Sequence, residues 1–143
     1  MSQQSYANHR RWVPLYHFFL STVILATIIG SVINLVKSLG TSGLYSASLI
    51  VAVNLVLVLI YFFERDFALR AQDRAIRAEE NLRHYVLTGK LIDPKITVRQ
   101  IIGARFASDQ EFPALLERAL KENLSEDAIK KAIKNWRADT YRV

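Results

Sequence analysis

Residues 13–36 read VPLYHFFLSTVILATIIGSVINLV, 24 consecutive positions without one Asp, Glu, Lys or Arg. Residues 44–63, LYSASLIVAVNLVLVLIYFF, add 20 more. A bilayer core is about 30 Å thick and a spanning helix needs about 20 apolar residues, so both stretches are long enough to cross it. In lipid each backbone N–H must be satisfied within its own segment. The many β-branched residues (Val23, Ile24, Ile28, Ile29, Val32, Ile33, then Ile50, Val51, Val53, Val56, Val58) therefore spell helix here and not strand. The connection Lys37-Ser38-Leu39-Gly40-Thr41-Ser42-Gly43 is short and carries two glycines, as a tight hairpin turn requires.

Around these stretches the composition divides in two. The 143 residues are 51% hydrophobic and 22% charged, with net charge +6 and no Cys, yet all 13 acidic residues lie at Glu64 or later. One population suits lipid and the other water, which excludes a single soluble core over the whole length. Disulfide frameworks and Cys-ligated metals are excluded as well. The charge falls as +2 on the N-terminal tail, +1 on the turn and +3 from Glu64 onward, where 16 bases meet 13 acids. That distribution is a topology signal more than a nucleic-acid footprint.

Positively charged loops resist translocation. Arg10 and Arg11 precede the first span and Arg65, Arg70, Arg74 and Arg77 follow the second, whereas the turn has only Lys37. Both termini are thus expected in the cytoplasm. Trp12, Tyr16, Tyr61, Phe62 and Phe63 would form an interfacial belt on that side, with Tyr45 at the other. The first segment is expected to persist as a span: it exceeds the ~7–15-residue core of a signal peptide, no small-x-small site ends it, and Trp12-Val13-Pro14 departs from a twin-arginine motif.

Lipid gives helices no hydrophobic reason to associate, so small residues and interhelical hydrogen bonds must supply it. Thr22, Ala26, Gly30 and Asn34 recur every four residues, and Ser48 and Ala52 offer a similar stripe on the second span. The hairpin is expected to pack through them. Asn54, near mid-span, is expected to find Thr22, Thr27 or Asn54 of another copy, as structural glue in preference to a transport-pathway residue.

With no Gly or Pro between Gly43 and Gly89, the second span can continue into a stalk helix. Asp66 with Arg70, Asp73 with Arg77 and Glu79 with Arg83 are acid-before-base pairs at i,i+4. Ala68, Ala71, Ala75, Ala78, Leu82 and Tyr85 keep a 3–4 spacing, but alanines bury little area, so it argues for close packing against something and not for a strong coiled coil. Gly89 reads as the cap that ends the helix. Three short helices follow. Thr97-Val-Arg-Gln100 and Ser108-Asp-Gln-Glu111 match the capping-box pattern, and Ser125-Glu-Asp opens the last helix. Candidate inward residues are Ile101, Ile102 and Phe106; Phe112, Leu115, Leu116, Ala119 and Leu120; and Leu124, Ile129, Ile133 and Trp136. About fifty residues make a thin core, expected to lean on the stalk or the membrane surface. The expected fold is all-α: a tail over 1–12, a transmembrane hairpin over 13–63 (spans about 13–36 and 44–63), a cytoplasmic stalk over 64–89 and a small three-helix domain over 90–143.

The opening Gln4-Ser5-Tyr6-Ala7-Asn8-His9-Arg10, then Pro14-Leu15-Tyr16-His17-Phe18, and the closing Arg105-Phe106-Ala107-Ser108 through Lys130-Lys131-Ala132-Ile133-Lys134-Asn135-Trp136-Arg137-Ala138-Asp139 carry a resemblance. Over nearly the whole chain they resemble a family of short, uncharacterised bacterial two-span membrane proteins, a domain of unknown function. Some members are labelled ABC-transporter permease, although two spans are too few for such a permease. The resemblance implies a bacterial inner-membrane protein of this layout and brings no catalytic residues with it.

Motifs for chemistry are sparse. His9 and His17 are eight residues apart, too far for an i,i+4 metal pair, and packing or hydrogen bonding is the reading for both. His84 reads as a surface or bundle contact. Gly89-Lys90 lacks the rest of a phosphate-binding loop, and no nucleophile elbow, zinc-protease or calcium-loop pattern occurs. Acids and bases interleave as on solvated helix faces, so no general acid and base can be nominated; neither an enzyme nor a cofactor is expected. Lys130, Lys131, Lys134, Arg137 and Arg142 crowd the last helix after the turn Glu122-Asn-Leu-Ser125. They are candidate contacts for anionic lipid or a partner; helix-turn-helix DNA reading is the weaker alternative, because Glu126, Asp127 and Asp139 share the segment. The expectation is a membrane-anchored, non-catalytic accessory protein whose partners are membrane lipids and a larger membrane assembly or further copies of itself. A membrane-tethered nucleic-acid binder and a small oligomeric transporter or channel subunit stand as alternatives.

Overall fold

The computed structural model describes residues 4–9 and 11–139. Its order is a π-helical turn Leu15–Leu20, then α1 (Ser21–Lys37), α2 (Leu44–Thr88), α3 (Val98–Ala104), α4 (Phe112–Lys121) and α5 (Glu126–Ala132). Among the described residues the fold is all-helical, with one isolated antiparallel bridge between Ala107 and Trp136. The chain divides into two compact units, Arg11–Phe67 and Met1–Arg10 with Ala68–Val143.

In the first unit, α1 and the beginning of α2 form a helical hairpin across the Ser38–Gly43 turn, where Gly40 takes φ +75°. Two helices, Leu15–Lys37 and Leu44–Thr88, are long and apolar enough to cross a membrane. Only 6% and 11% of their most apolar windows are buried within the chain. Leu25, Ile29, Ile60 and Phe62 are all more than half exposed.

The hairpin seam differs from the expected one. The sheltered residues of α1 are Ser21, Ile24, Ile28, Ser31 and Leu35, and those of α2 are Ala47, Val51, Asn54, Val58 and Tyr61, so both follow alternating steps of three and four. Thr22, Ala26, Gly30, Asn34, Ser48 and Ala52 are exposed instead. Each four-residue step advances about 400° around an α-helix, so a strict every-fourth stripe drifts off a partner. A repeat averaging 3.5 stays on it. Asn54 is buried, but its Nδ2 donates to Ile50 O of its own helix at 2.9 Å, not to Thr22 or Thr27.

The π turn has a local reason. Residues five apart point roughly 140° apart on an α-helix, whereas a turn closed from i to i+5 brings them near one face. Tyr16 and Ser21 are five apart and both reach Tyr61: Tyr16 Oη donates to Tyr61 O at 2.6 Å, Ser21 Oγ lies 2.8 Å from Tyr61 Oη, and the two tyrosine rings stack at 4.6 Å. Trp12, His17 and Phe18 extend the aromatic cluster, and the Arg65 guanidinium lies 5.7 Å from the Tyr16 ring centre.

In the second unit, the later part of α2 carries α3, α4 and α5 around Phe106, Phe112, Ile101, Leu116 and Ile129, all fully buried. Ile76 of α2 joins this core, as do Ile92 and Ile96 from the segment after Gly89. Leu120, Leu124 and Trp136 pack against it half-buried. Gly89 takes φ +72° and its N–H donates to Tyr85 O, closing α2 where the sequence places its cap. His84 supports that end, with Nδ1 2.7 Å from Lys90 O and its ring edge-on to Phe112.

The capping box at Thr97 forms in full, and its Gln100 does more: Nε2 donates to Ala119 O and Leu124 O, tying α3 to the end of α4. Ser125 caps α5 through Ala128 N. Ser108-Asp-Gln-Glu111 does not form a box. α4 begins at Phe112, and the Glu111 carboxylate is taken by Asn135 Nδ2 at 2.9 Å and by the backbone N–H groups of Lys134 and Asn135. The last helix is also shorter than expected, because Ile133 turns extended (ψ 126°) and leads the chain to the bridge at Trp136.

Candidate functional site

The polar chemistry of the second unit gathers at two places around its core. The first is Arg83 on α2. Its guanidinium meets Glu80 Oε2 at 2.9 Å and Asp109 Oδ1 at 2.6 Å, donates to Ala107 O at 2.7 Å and Arg105 O at 3.3 Å, and lies over the Phe112 ring at 4.3 Å. The sequence pairs Arg83 with Glu79, four residues before it; the structure pairs it with Glu80, which faces the core. Burial pushes the Glu80 carboxyl above its usual range, with Arg83 pulling the other way. Arg105, also buried, is lowered by desolvation and held by Asp139, whose Oδ2 lies 3.2 Å from Nε without hydrogen-bond alignment.

The second place is where both terminal segments close over Phe106. Tyr6 Oη donates to Asp127 at 2.6 Å, Lys131 pairs with the same carboxylate at 2.7 Å, and Lys131 Nζ lies 5.4 Å from the Tyr6 ring centre. The Lys131 and Tyr6 hydrogen bonds hold Asp127 below the usual carboxylate range, and Asp127 raises Lys131 in return. His9 lies between Tyr6, Phe106 and Trp136 at ring distances of 5.7–6.0 Å. Asp139 N donates to the Gln4 side chain, and Arg137 N to Phe106 O. Residues 4–9 are therefore a built part of this unit, not a free tail. The signal was available in Tyr6 and His9, two rings in a short polar stretch, but neither their partners nor their distance in sequence could be read from it.

The candidate cationic cluster is dispersed. Lys130 pairs with Glu126 at 2.6 Å and Lys131 with Asp127. Lys134 and Arg137 lie beyond the end of α5, not on it, and both are exposed; Arg142 is outside the described residues. Of the hairpin candidates, Asn54 is buried in the seam, while Gly30 and Asn34 join it in lining a lateral groove of about 560 Å³ with Thr27 and Ser31. Among the described residues no group of three or more His, Asp or Glu is placed to hold a metal ion.

Among the described residues, fold and site together define a small all-helical protein with two helices long and apolar enough to cross a membrane. The chain belongs to the family of unknown function DUF6526, whose model matches residues 1–143. Comparison with curated proteins and with solved structures gives no match.

Proposed function

We propose that this protein is a non-catalytic, membrane-anchored interaction protein of the bacterial inner membrane, with both termini cytoplasmic. In this reading the hairpin holds the α2–α5 domain at the cytoplasmic face as an accessory part of a larger membrane assembly. The observation that carries it is the docking of residues 4–9 onto Phe106, Asp127 and Trp136. Both apolar helices separate these segments in sequence, so a chain that joins them crosses the bilayer an even number of times. The outward-facing apolar surface of α1 and early α2 supports insertion, and the single Lys37 in the turn, against the arginines flanking the hairpin, supports the orientation.

Nucleic-acid binding draws less support, because α5 has seven residues and its Lys130 and Lys131 are paired within it. A conduction pathway draws less too, since the Asn54 donor is satisfied by its own helix.

The chain has no Cys, so single cysteines report topology cleanly. A cysteine at Ser42 should react with a membrane-impermeant maleimide in spheroplasts, and one at Glu122 only after lysis, with the protein retained in carbonate-washed membranes. Release by carbonate, or the reverse labelling pattern, would overturn the reading.

A further inference from the structure

Beyond Phe67, α2 has one face committed to its own domain and the opposite face bare. Ile76, Glu80 and Arg83 point into the domain. Residues two apart lie roughly 160° around an α-helix, so Ala78 and Leu82 look directly away from it. Ala71, Ala75, Ala78, Leu82 and Tyr85 are all exposed, Leu82 by 64% and Tyr85 by 53%. Their spacing of four, three, four and three is that of a coiled-coil seam.

We propose that this face is a docking seam for a second copy of the same chain, packed parallel and in register. The proposal rests on the membrane-anchored reading above, because two copies inserted with one topology can bring this helix together only in parallel. Charge selects the same partner. With Ala75 and Leu82 at the first seam position of each heptad and Ala71, Ala78 and Tyr85 at the second, Arg74 and Glu79 occupy the flanking positions that face each other across a parallel pair. Arg74 of one copy then meets Glu79 of the other, and two-fold symmetry makes the contact twice. Both side chains are exposed, and neither forms an ion pair among the described residues.

The three alanines let the helices approach to the short end of the usual 8–10 Å separation. Leu82 and Tyr85, with Val86 beside them at 74% exposure, supply apolar area at the end away from the hairpin. Such a seam would be weak between free helices. Confinement to one bilayer raises the effective concentration of the partner, so a modest seam suffices.

The test uses the full chain in its membrane, with single cysteines oxidised mildly and read on a non-reducing gel. Ala75→Cys, Ala78→Cys and Leu82→Cys should give a disulfide-linked species of twice the chain mass, and Arg77→Cys, exposed but off the seam, should not. Arg74→Glu should lower the cross-linked fraction of Ala78→Cys roughly fivefold, as two exposed ion pairs become repulsions, and adding Glu79→Arg should restore it. Protein that stays in carbonate-washed membranes but does not cross-link at the seam overturns the docking proposal alone. Equal cross-linking at Arg77→Cys, an adduct of another mass, or no rescue by the double reversal overturns it too. Protein released by carbonate overturns the anchor and this proposal together.

Discussion

Replacing Arg83 with Met should remove the cooperative unfolding of the α2–α5 domain. The Arg83 and Glu80 side chains are each only 10% exposed, and the guanidinium also serves Ala107 O and Arg105 O. Methionine keeps the packing on Phe112 but leaves the Glu80 carboxylate without its cation and two carbonyls without a donor. Breaking one side of a buried pair costs about 3–5 kcal/mol. The Asp109 contact, with a 63% exposed carboxylate, adds less than about 1 kcal/mol. A core of this size holds only about 3–5 kcal/mol in total, so the loss is comparable to the whole stability. The assay is urea titration of the full chain in mild detergent, followed by Trp136 fluorescence in a Trp12→Phe background, Trp12 being 59% exposed. The parent should show a sigmoid transition and Arg83→Met a featureless slope, while Glu80→Gln with Arg83→Met should recover part of the transition, since the stranded charge is gone. At a slope of about 1 kcal/mol per molar urea, an Arg83→Met midpoint within about 1 M of the parent would refute the assignment of Arg83 as the domain's central tie.

Glu80→Gln alone tests the sign of the linkage. Because burial raises the Glu80 carboxyl above its ordinary 4.5, the folded state holds that proton more tightly than the unfolded one. The contribution is complete below pH 4.5 and is lost as pH rises through the raised value, so the Gln variant should flatten the fall of the urea midpoint between pH 4.5 and that value. Gly103→Ala should destabilise the domain by about 1–3 kcal/mol, as a Cβ there would sit 2.9 Å from the Glu126 carbonyl oxygen and 3.3 Å from Ile129 Cβ; circular dichroism melting would register it. Tyr6→Phe removes the exposed hydrogen bond to Asp127 and should speed proteolysis within residues 4–9, read by limited digestion. Asn54→Leu should alter hairpin stability by less than about 1 kcal/mol, because no interhelical hydrogen bond is lost; a larger drop in thermal stability in detergent would contradict the donor's assignment to Ile50 O.

What could be read from sequence was what is decided locally. The apolar lengths and the Gly89, Thr97 and Ser125 caps depend on a few neighbouring residues, and each is found where its pattern lies. The buried set from Ile101 to Ile133 follows from the same periodicity. The misreadings share a cause in long-range competition. Glu111 leaves the expected box because Asn135, 24 residues on, takes its carboxylate. The last helix ends at Ala132 because Trp136 pairs with Ala107. The hairpin seam runs through Ser21, Ile24, Ile28 and Ser31 because a partner helix selects a seven-residue repeat, a choice that small residues on one helix do not reveal. Arg83 had acids at both i−4 and i−3, and only the direction of the core decides between them.

The docking of residues 4–9 also sets an order of events in time. Tyr6 leaves the ribosome 121 residues ahead of its partner Asp127, and His9 likewise precedes Trp136. At synthesis rates of about 5–20 residues per second, the early segment waits on the order of ten seconds for its site to exist. Under the proposed topology the hairpin inserts during that interval while residues 4–9 stay on the side where the domain forms. Closure of Tyr6 onto Asp127 and His9 onto Trp136 then signals that the chain has been read through at least to the tryptophan. A chain stopped short of that point would carry residues 4–9 unclasped and visible to proteases.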